Sequence, residues 1–474
     1  MVNLPKYLIN SAERLPNKIA FCDGTNSLTF AELNKFARAL GACLSAVRNR
    51  PVAILGARNV YTLAAFMGVL YSGNFYVPID PALPQARADT MLRRLEPAYV
   101  LDDAAIAAAL SHEGADPVCG IDVDPAYMLY TSGSTGEPKG IVVSHKSVMD
   151  CIEWEQREFG FCQNDIFASQ VPFHFDPFVK DFYLTLKCGA TTHILPKKHF
   201  MFPPKLMQAI DDINATVLMW STSAFKLVAD SGVLAKYAPK NLRLVVFGGE
   251  RIFAKQLRAW QEALPDVTYV NFYGPTETTV ELAYHIIDRI YADDEQIPIG
   301  RACGNKEILL LDEAMQPTRR GEIYARGTGL ALGYYGETAL TDAAFVQNPQ
   351  VPWRDILYRT GDIAEYNDAG LLMFIGRKDM QIKHHGYRIE PGEIEAAIMA
   401  IAEILDAVVL YECGRIVAAY IGEIGGGEIL EHLRTTLPKY MHPQEFFQMK
   451  DFDKNANGKI DRAAVRRVIN ESGS

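Results

Sequence analysis

The sequence predicts an α/β protein with a large N-terminal domain, residues 1–378, and a small C-terminal α+β domain, residues 379–474. Three observations carry that expectation. Between about residue 50 and residue 280, short apolar runs rich in β-branched and aromatic residues alternate with longer helical patterns. That alternation is the mark of a sheet whose strands are buried under helices. After about residue 375 the elements shorten and hairpin-like pairs appear. The chain has 474 residues, 49% hydrophobic and 22% charged, which is long enough for more than one core.

In order along the chain, Ala126–Tyr130, Ile141–Val143, Val217–Trp220, Leu242–Phe247 and Thr268–Phe272 read as buried strands. Ser144–Cys151 and Ala254–Ala263 read as helices between them. Small or polar residues follow each strand, and in such folds ligands gather beyond the strands' carboxyl ends. In the C-terminal part, Met380–Lys383 reads as a strand and His385-Gly386-Tyr387 as a turn. Pro391 opens a helix running to about Ile401, with Glu393 and Glu395 near its start. Asp406–Tyr411 and Ile416–Ile421 form a hairpin across Glu412-Cys413-Gly414-Arg415, and Glu428–Thr436 is a short amphipathic helix stopped by Pro438.

Composition removes several classes. Lys plus Arg number 47 against 57 Asp plus Glu, a net charge of −10 that disfavours nucleic acid as a partner. No apolar run approaches the ~18 residues of a membrane span. Eight scattered cysteines form no CxxC pair, and the histidines lack HExxH spacing, so a structural zinc is not expected. Met1–Lys6 shows no basic region leading into an apolar one, and cytoplasmic, reduced thiols are the expectation.

The chemistry concentrates first at Tyr130-Thr131-Ser132-Gly133-Ser134-Thr135-Gly136-Glu137-Pro138-Lys139-Gly140, between two apolar strands. Its glycines free the backbone to turn N–H groups toward an anion, and its hydroxyls and Lys139 add donors. Pro138 precedes the lysine, so this is not a Walker A loop, which needs glycine there. With buried strands directly on both sides, a phosphate-binding loop is favoured over a flexible linker.

This loop resembles the signature loop of the adenylate-forming superfamily, and further motifs follow in family order. Leu28–Leu33 and Gly73–Pro81 precede it. Asn271-Phe272-Tyr273-Gly274-Pro275-Thr276-Glu277, Gly321-Glu322-Ile323, Tyr358–Asp362, Gly376–Asp379, Leu437–Met441 and Asn457–Arg462 come after. The nearest likeness is to a stand-alone amino-acid adenylation domain of the non-ribosomal peptide synthetase type. The resemblance implies a multi-layer N-terminal domain, a mobile C-terminal lid hinged at Asp379, and ATP with Mg²⁺.

Adenylate formation joins a carboxylate to the α-phosphate of ATP, and the nucleophile is already ionised. The work is placing two anions together and stabilising the spread charge. By resemblance, Lys459 is the cation at the carboxylate–phosphate junction and Glu277 the Mg²⁺ ligand. Tyr273 stacks on adenine, Thr276 contacts the α-phosphate, and Asp362 accepts from the ribose, with Gly376 and Arg377 nearby. Thr131, Ser132, Gly133, Ser134, Thr135, Gly136, Lys139, Asn271, Phe272 and Gly274 complete the ATP set. A rival exists at Lys459: Asp453–Asp461 matches the first nine positions of an EF-hand loop. Position twelve, however, is Ala464, without the closing carboxylate.

Phe173-His174-Phe175-Asp176-Pro177-Phe178-Val179 resembles the segment where amino-acid-activating members set an aspartate against the substrate ammonium. A buried carboxylate needs such a partner. The alternative is that Asp176 caps the helix after Pro177. The matched pocket comprises Phe175, Asp176, Lys180, Met219, Val246, Gly248, Phe272, Val280 and Glu281, with Lys459 at its mouth. Bulky Met219 and Phe272 imply a shallow site for a small or medium amino acid. Lys180 and Glu281 either pair together or read a polar side chain. The chain ends fifteen residues after Lys459, so the expected acceptor is a phosphopantetheinylated carrier protein supplied in trans. An acyl- or aryl-CoA synthetase is the alternative, with Asp176 then structural. A catalytically dead nucleotide sensor is disfavoured because Lys459 and Glu277 are both present.

Overall fold

The apolar runs become strands because helices or loops cover them on both sides. The computed structural model describes residues 3–118, 120–133, 137–454 and 460–472. The chain divides into two compact units. One comprises Met1–Pro81, Glu96–Leu129 and Gly140–Lys378, and the other Ala82–Leu95, Tyr130–Lys139 and Asp379–Ser474.

The larger unit is built on a nine-stranded sheet with a parallel centre. Strands Ile166–Ser169, Val217–Ser221, Leu244–Gly248 and Thr268–Tyr273 lie in that spatial order. Met219 pairs with Val246, which pairs with Val270, and Ser221 pairs with Gly248, which pairs with Phe272. The expected pocket residues Met219, Val246, Gly248 and Phe272 therefore sit on three adjacent strands toward their carboxyl ends. A second, six-stranded sheet contains Phe75–Pro78, Pro125–Thr131 and Lys139–Ser144, and a third, antiparallel one contains Ile356–Tyr366 and Leu372–Arg377. This multi-layer α/β arrangement is the one the sequence predicts.

Two helices frame the site. Ser144 accepts the Ser147 N–H at 3.1 Å and caps the helix His145–Phe159, which ends on left-handed Gly160. The helix runs eight residues past the predicted Cys151, because Ile152, Trp154, Glu155 and Phe159 continue its buried stripe. The second helix is Phe178–Cys188, almost wholly buried.

That burial has a cost at Asp181, whose carboxyl is raised to about 7 by desolvation. The folded state therefore holds the proton more tightly than the unfolded chain. Stability from this group is present at low pH and is lost as pH rises from about 4 to about 7. Asp181→Asn is expected to be more stable than the parent by a few kcal/mol near about pH 8, with the difference vanishing near about pH 4. Urea denaturation of both proteins across that range measures it, and a difference independent of pH would contradict it.

The smaller unit centres on a three-stranded sheet. Ile404–Glu412 and Arg415–Gly422 form the expected hairpin, and Glu445–Gln448 joins in parallel. Cys413 and Gly414 both have positive φ, as a two-residue hairpin turn requires. Alternation along the strands sends Ala407 and Val409 to one core, beneath Ile394, Ile398, Ile429 and Leu433. Val408 and Leu410 go to another, beneath Val465 and Ile469. The predicted strand at Met380 begins instead at Ile382, because Asp379 accepts the Gln381 N–H at 3.2 Å and forms a local turn first.

Among the described residues, no helix is long and apolar enough to cross a membrane. The seven described cysteines are free thiols.

Candidate active site

In the larger unit, the strand Thr268–Tyr273 delivers Tyr273 into the interior. Its hydroxyl donates to Asp362 Oδ2 at 2.5 Å. Burial and the Asp362 charge hold the phenol well above its ordinary pKa, so it stays a donor. Arg377, directly across the strand pair from Asp362, binds the other oxygen at 2.7 Å. Gly376 pairs with Ile363 on the same two strands. The structure thus brings Tyr273, Asp362, Gly376 and Arg377 together. Each carboxylate oxygen has a second lone pair for a further donor. Asn271 donates its side-chain amide to Pro298 O at 2.8 Å, a bond that fixes the neighbouring chain.

Past Tyr273 the chain turns tightly. Thr276–Thr278 is a single 3-10 turn, after which Thr279 and Val280 have φ of 55° and 65°. Consecutive left-handed β-branched residues are strained, at about 1–3 kcal/mol each. Lys306 offsets this by donating to the carbonyls of Thr278 and Thr279 at 2.9 and 3.2 Å, and also to that of Glu281. The Thr279 hydroxyl donates to Gly329 O at 2.7 Å. Nothing in its sequence context, a lysine opening a strand, singles out Lys306. The turn seats Glu277 in the interior, 0% exposed, where Tyr334 donates to its Oε1 at 2.9 Å. The Glu277 carboxylate with a phenolic hydroxyl beside it offers the hard oxygen chemistry that suits Mg²⁺, which keeps phosphate and water oxygens for its other positions.

The same turn aims Glu281 at Lys180. Nζ lies 2.5 Å from Glu281 Oε1, 3.9 Å from Glu155 Oε1 and 4.4 Å from the centre of the Phe272 ring. All three ionic groups are buried. Desolvation would lower the Lys180 ammonium, but Glu281 and Glu155 outweigh it and hold it charged. Burial, then the Glu281 charge, pushes the Glu155 carboxyl well up, so it keeps its proton. Cys151 donates to Glu281 Oε2 at 3.8 Å. Ligand atoms of Cys151, Glu155 and Glu281 lie within 4.8 Å of one another, yet the Lys180 ammonium already supplies a cation there. Glu155 escaped the sequence reading because a glutamate on an amphipathic helix ordinarily faces water.

Asp176 precedes the Phe178–Cys188 helix, one turn before Lys180. The N-cap residue is Pro177, whose side chain offers no hydrogen-bonding group, and the Asp176 carbonyl before it accepts the Val179 N–H at 2.9 Å. The Asp176 charge raises the Tyr127 phenol, already raised more by burial. The Tyr127 hydroxyl is itself buried without a hydrogen bond among the described residues. Phe175 N–H donates to Pro172 O at 3.1 Å, which folds the segment on itself. Arg58, unmarked by any motif, donates to Ser169, Val171 and Leu195 carbonyls and holds that segment's entry.

In the smaller unit, the phosphate loop leaves Tyr130, whose hydroxyl donates to Met91 O at 3.0 Å. Ser132 donates to Arg388 O at 2.7 Å, and the Thr131 hydroxyl is buried without a hydrogen-bond partner among the described residues. A Cβ on Gly133 would lie 1.9 Å from Glu137 O, so only glycine fits. Glu393 is buried 2.6 Å from Arg87, and desolvation raises its carboxyl against the lowering effects of Arg87 and the Gly133 N–H. Lys139 opens the strand that follows.

Ser134, Thr135, Gly136 and Lys459 lie outside the described residues. At the flanks of Lys459, Lys454 bridges Ile460, and Asp461 N–H donates to Asp453 O at 2.7 Å. The Asp461 carboxylate accepts from Ala463 and Ala464 at the start of the last helix. It serves there as a helix cap, which weakens the calcium-loop reading further.

The AMP-binding enzyme family model matches residues 8–335. Tyrocidine synthase 3 of Brevibacillus parabrevis is 33% identical over 96% of this chain, which covers 7% of that protein. Gramicidin S synthase 2 of Aneurinibacillus migulanus is 32% identical over 96% of this chain, which covers 11% of that protein. The chain thus spans under a fifth of the length of these relatives. Among solved structures, holo-PA1221, an NRPS protein containing adenylation and PCP domains bound to a vinylsulfonamide inhibitor, is similar at a TM-score of 0.85 and 27% identity. That match covers 98% of this chain and 84% of the other.

Proposed function

This chain belongs to the AMP-binding enzyme family, of the non-ribosomal peptide synthetase adenylation type, and we propose that it activates an amino acid. The carboxylate attacks the α-phosphate of ATP, the P–O bond to the β-phosphate breaks, and aminoacyl-adenylate and pyrophosphate form. The aminoacyl group then passes to the phosphopantetheine thiol of a separate carrier protein, releasing AMP. In this reading residues 1–378 bind ATP and the amino acid, and residues 379–474 are the lid, hinged at Asp379 and carrying Lys459. PA1221 contains both adenylation and PCP domains, which supports a carrier as the acceptor.

The chain's own residues divide the task. Tyr273 and Arg377 orient Asp362 to accept from the ribose, and the phosphate loop offers backbone and hydroxyl donors. Lys459 neutralises the junction between carboxylate and α-phosphate. Glu277 would hold Mg²⁺, which when bound would supply charge neutralisation on the phosphates.

The observation that carries the amino-acid reading is Asp176, an acid four positions before Lys180 whose charge reaches the buried hydroxyl of Tyr127, itself without a hydrogen bond among the described residues. Asp176 is half-buried in the free chain, and with the substrate ammonium bound it would become one partner of a buried charge pair, whose truncation costs about 2–5 kcal/mol. Asp176→Ala is therefore expected to lower kcat/KM for amino-acid-dependent ATP–pyrophosphate exchange by about a hundredfold or more. Exchange driven by benzoates or fatty acids, and indifferent to Asp176→Ala, would instead establish an acyl- or aryl-CoA synthetase.

A further inference from the structure

We propose that the substrate amino acid carries an uncharged side chain, because the charges that Lys180 and Glu281 bring to the expected side-chain pocket are already paired with each other. The inference rests on the amino-acid reading above and narrows its substrate class. Lys180 follows Asp176 by four positions and lies in the first turn of the Phe178–Cys188 helix. Its ammonium rests over Phe272, which occupies the penultimate position of a strand in the parallel sheet. That is the end of such a sheet where ligands are received.

A lysine in this position invites a carboxylate side chain as its ligand. The structure removes the invitation, since Glu281 holds the ammonium at 2.5 Å. A substrate carboxylate entering here would have to displace Glu281, leaving that group buried and unpaired, which is strongly unfavourable. A substrate side-chain ammonium would meet the like charge of Lys180, and the Glu281 carboxylate is already taken by that lysine. An uncharged side chain breaks no ionic contact. The other residues expected in the pocket, Phe272, Met219, Val246 and Val280, are apolar and buried.

Two features indicate that the pairing is built. The strained pair Thr279 and Val280, clamped by Lys306, directs Glu281 inward. Behind the pair stands Glu155, 0% exposed, 3.9 Å from Lys180 and with Cys151 and Glu281 ligand atoms within 4.8 Å. Lys180, Glu281 and Glu155 thus act as specificity residues that exclude charge. Neutralising one partner should expose the other.

The test is ATP–pyrophosphate exchange by the full chain with a panel of amino acids. For the parent, the best uncharged amino acid is expected to exceed aspartate, glutamate, lysine, arginine and ornithine by about a hundredfold or more. Glu155→Gln combined with Glu281→Gln leaves Lys180 without either carboxylate partner and is expected to raise exchange with aspartate or glutamate, relative to the preferred substrate, by about tenfold or more. A parent enzyme fastest with a charged amino acid overturns the proposal while leaving amino-acid activation intact. So does a folded Glu155→Gln, Glu281→Gln protein with an unchanged ranking. If that double variant does not fold, the Lys180→Met, Glu281→Met variant decides, because replacing both members of a buried pair is often tolerated. Retained preference for uncharged side chains supports the proposal, and a switch to charged ones overturns it. A response to plain carboxylic acids alone removes the amino-acid reading itself.

Discussion

Lys459→Ala is expected to lower amino-acid-dependent ATP–pyrophosphate exchange by about a thousandfold while changing ATP affinity by less than about tenfold. In the proposed reaction two anions must meet, and the charge that builds on the α-phosphate oxygens must be met by a donor already in place. One preorganised donor of this kind is worth about 10²–10³ in rate. A full positive charge shared between carboxylate and phosphate belongs at the upper end. ATP has many other contacts in this reading, among them Asp362 with its partners Tyr273 and Arg377, so ground-state binding is expected to survive. Lys459→Arg is not expected to rescue the rate, since a planar guanidinium cannot replace a compact ammonium in a junction of two oxygens. Exchange kinetics paired with calorimetric ATP titration make the measurement. A variant retaining more than a tenth of the parent's exchange would place the junction charge elsewhere.

What the sequence made legible follows from where its signals are local. Val217–Trp220 reads as a strand because burial on both faces leaves an unbroken apolar run, and Thr268–Phe272 because β-branched and aromatic residues dominate it. Cys413-Gly414 read as a hairpin turn because glycine follows a break between two alternating runs, and both residues do adopt positive φ. The helix Ala254–Ala263 matches its predicted bounds. Other features have no local signal. Gln85–Leu95 belongs to the smaller unit through Arg87 and its buried partner Glu393, more than three hundred positions away. Lys306 works through backbone carbonyls of a turn that is remote in sequence. The left-handed φ of Thr279 and Val280 opposes the preference of β-branched residues, so the sequence alone points away from it. Local rules fail here at a site where strain has a use.

Gly274→Ala is expected to cost about 3 kcal/mol or more in stability and to reduce exchange by a hundredfold or more. A Cβ at residue 274 would lie 2.4 Å from Val280 O, 2.6 Å from Glu281 Cα and 2.7 Å from Leu282 N. These are backbone atoms, and rotation of a side chain cannot relieve the clash. Nor can the two segments simply part, because Leu282 N–H donates to Tyr273 O at 2.7 Å beside the glycine. Relief requires displacing Val280–Leu282, whose strained backbone delivers Glu281 to Lys180 and is tied down by Lys306. One added methyl thus acts at once on the turn that seats Glu277 and on the pairing that neutralises the pocket. Gly427→Ala is the matched control. It lies inside the helix Gly426–Thr436 with nothing within 4 Å of the new carbon, so it is expected to be neutral or to stabilise by about 0.5–1 kcal/mol. Urea denaturation and exchange kinetics on both variants separate the outcomes. A Gly274→Ala protein as stable and active as the Gly427→Ala control would mean that the approach of residues 274 and 280 is not required for the site.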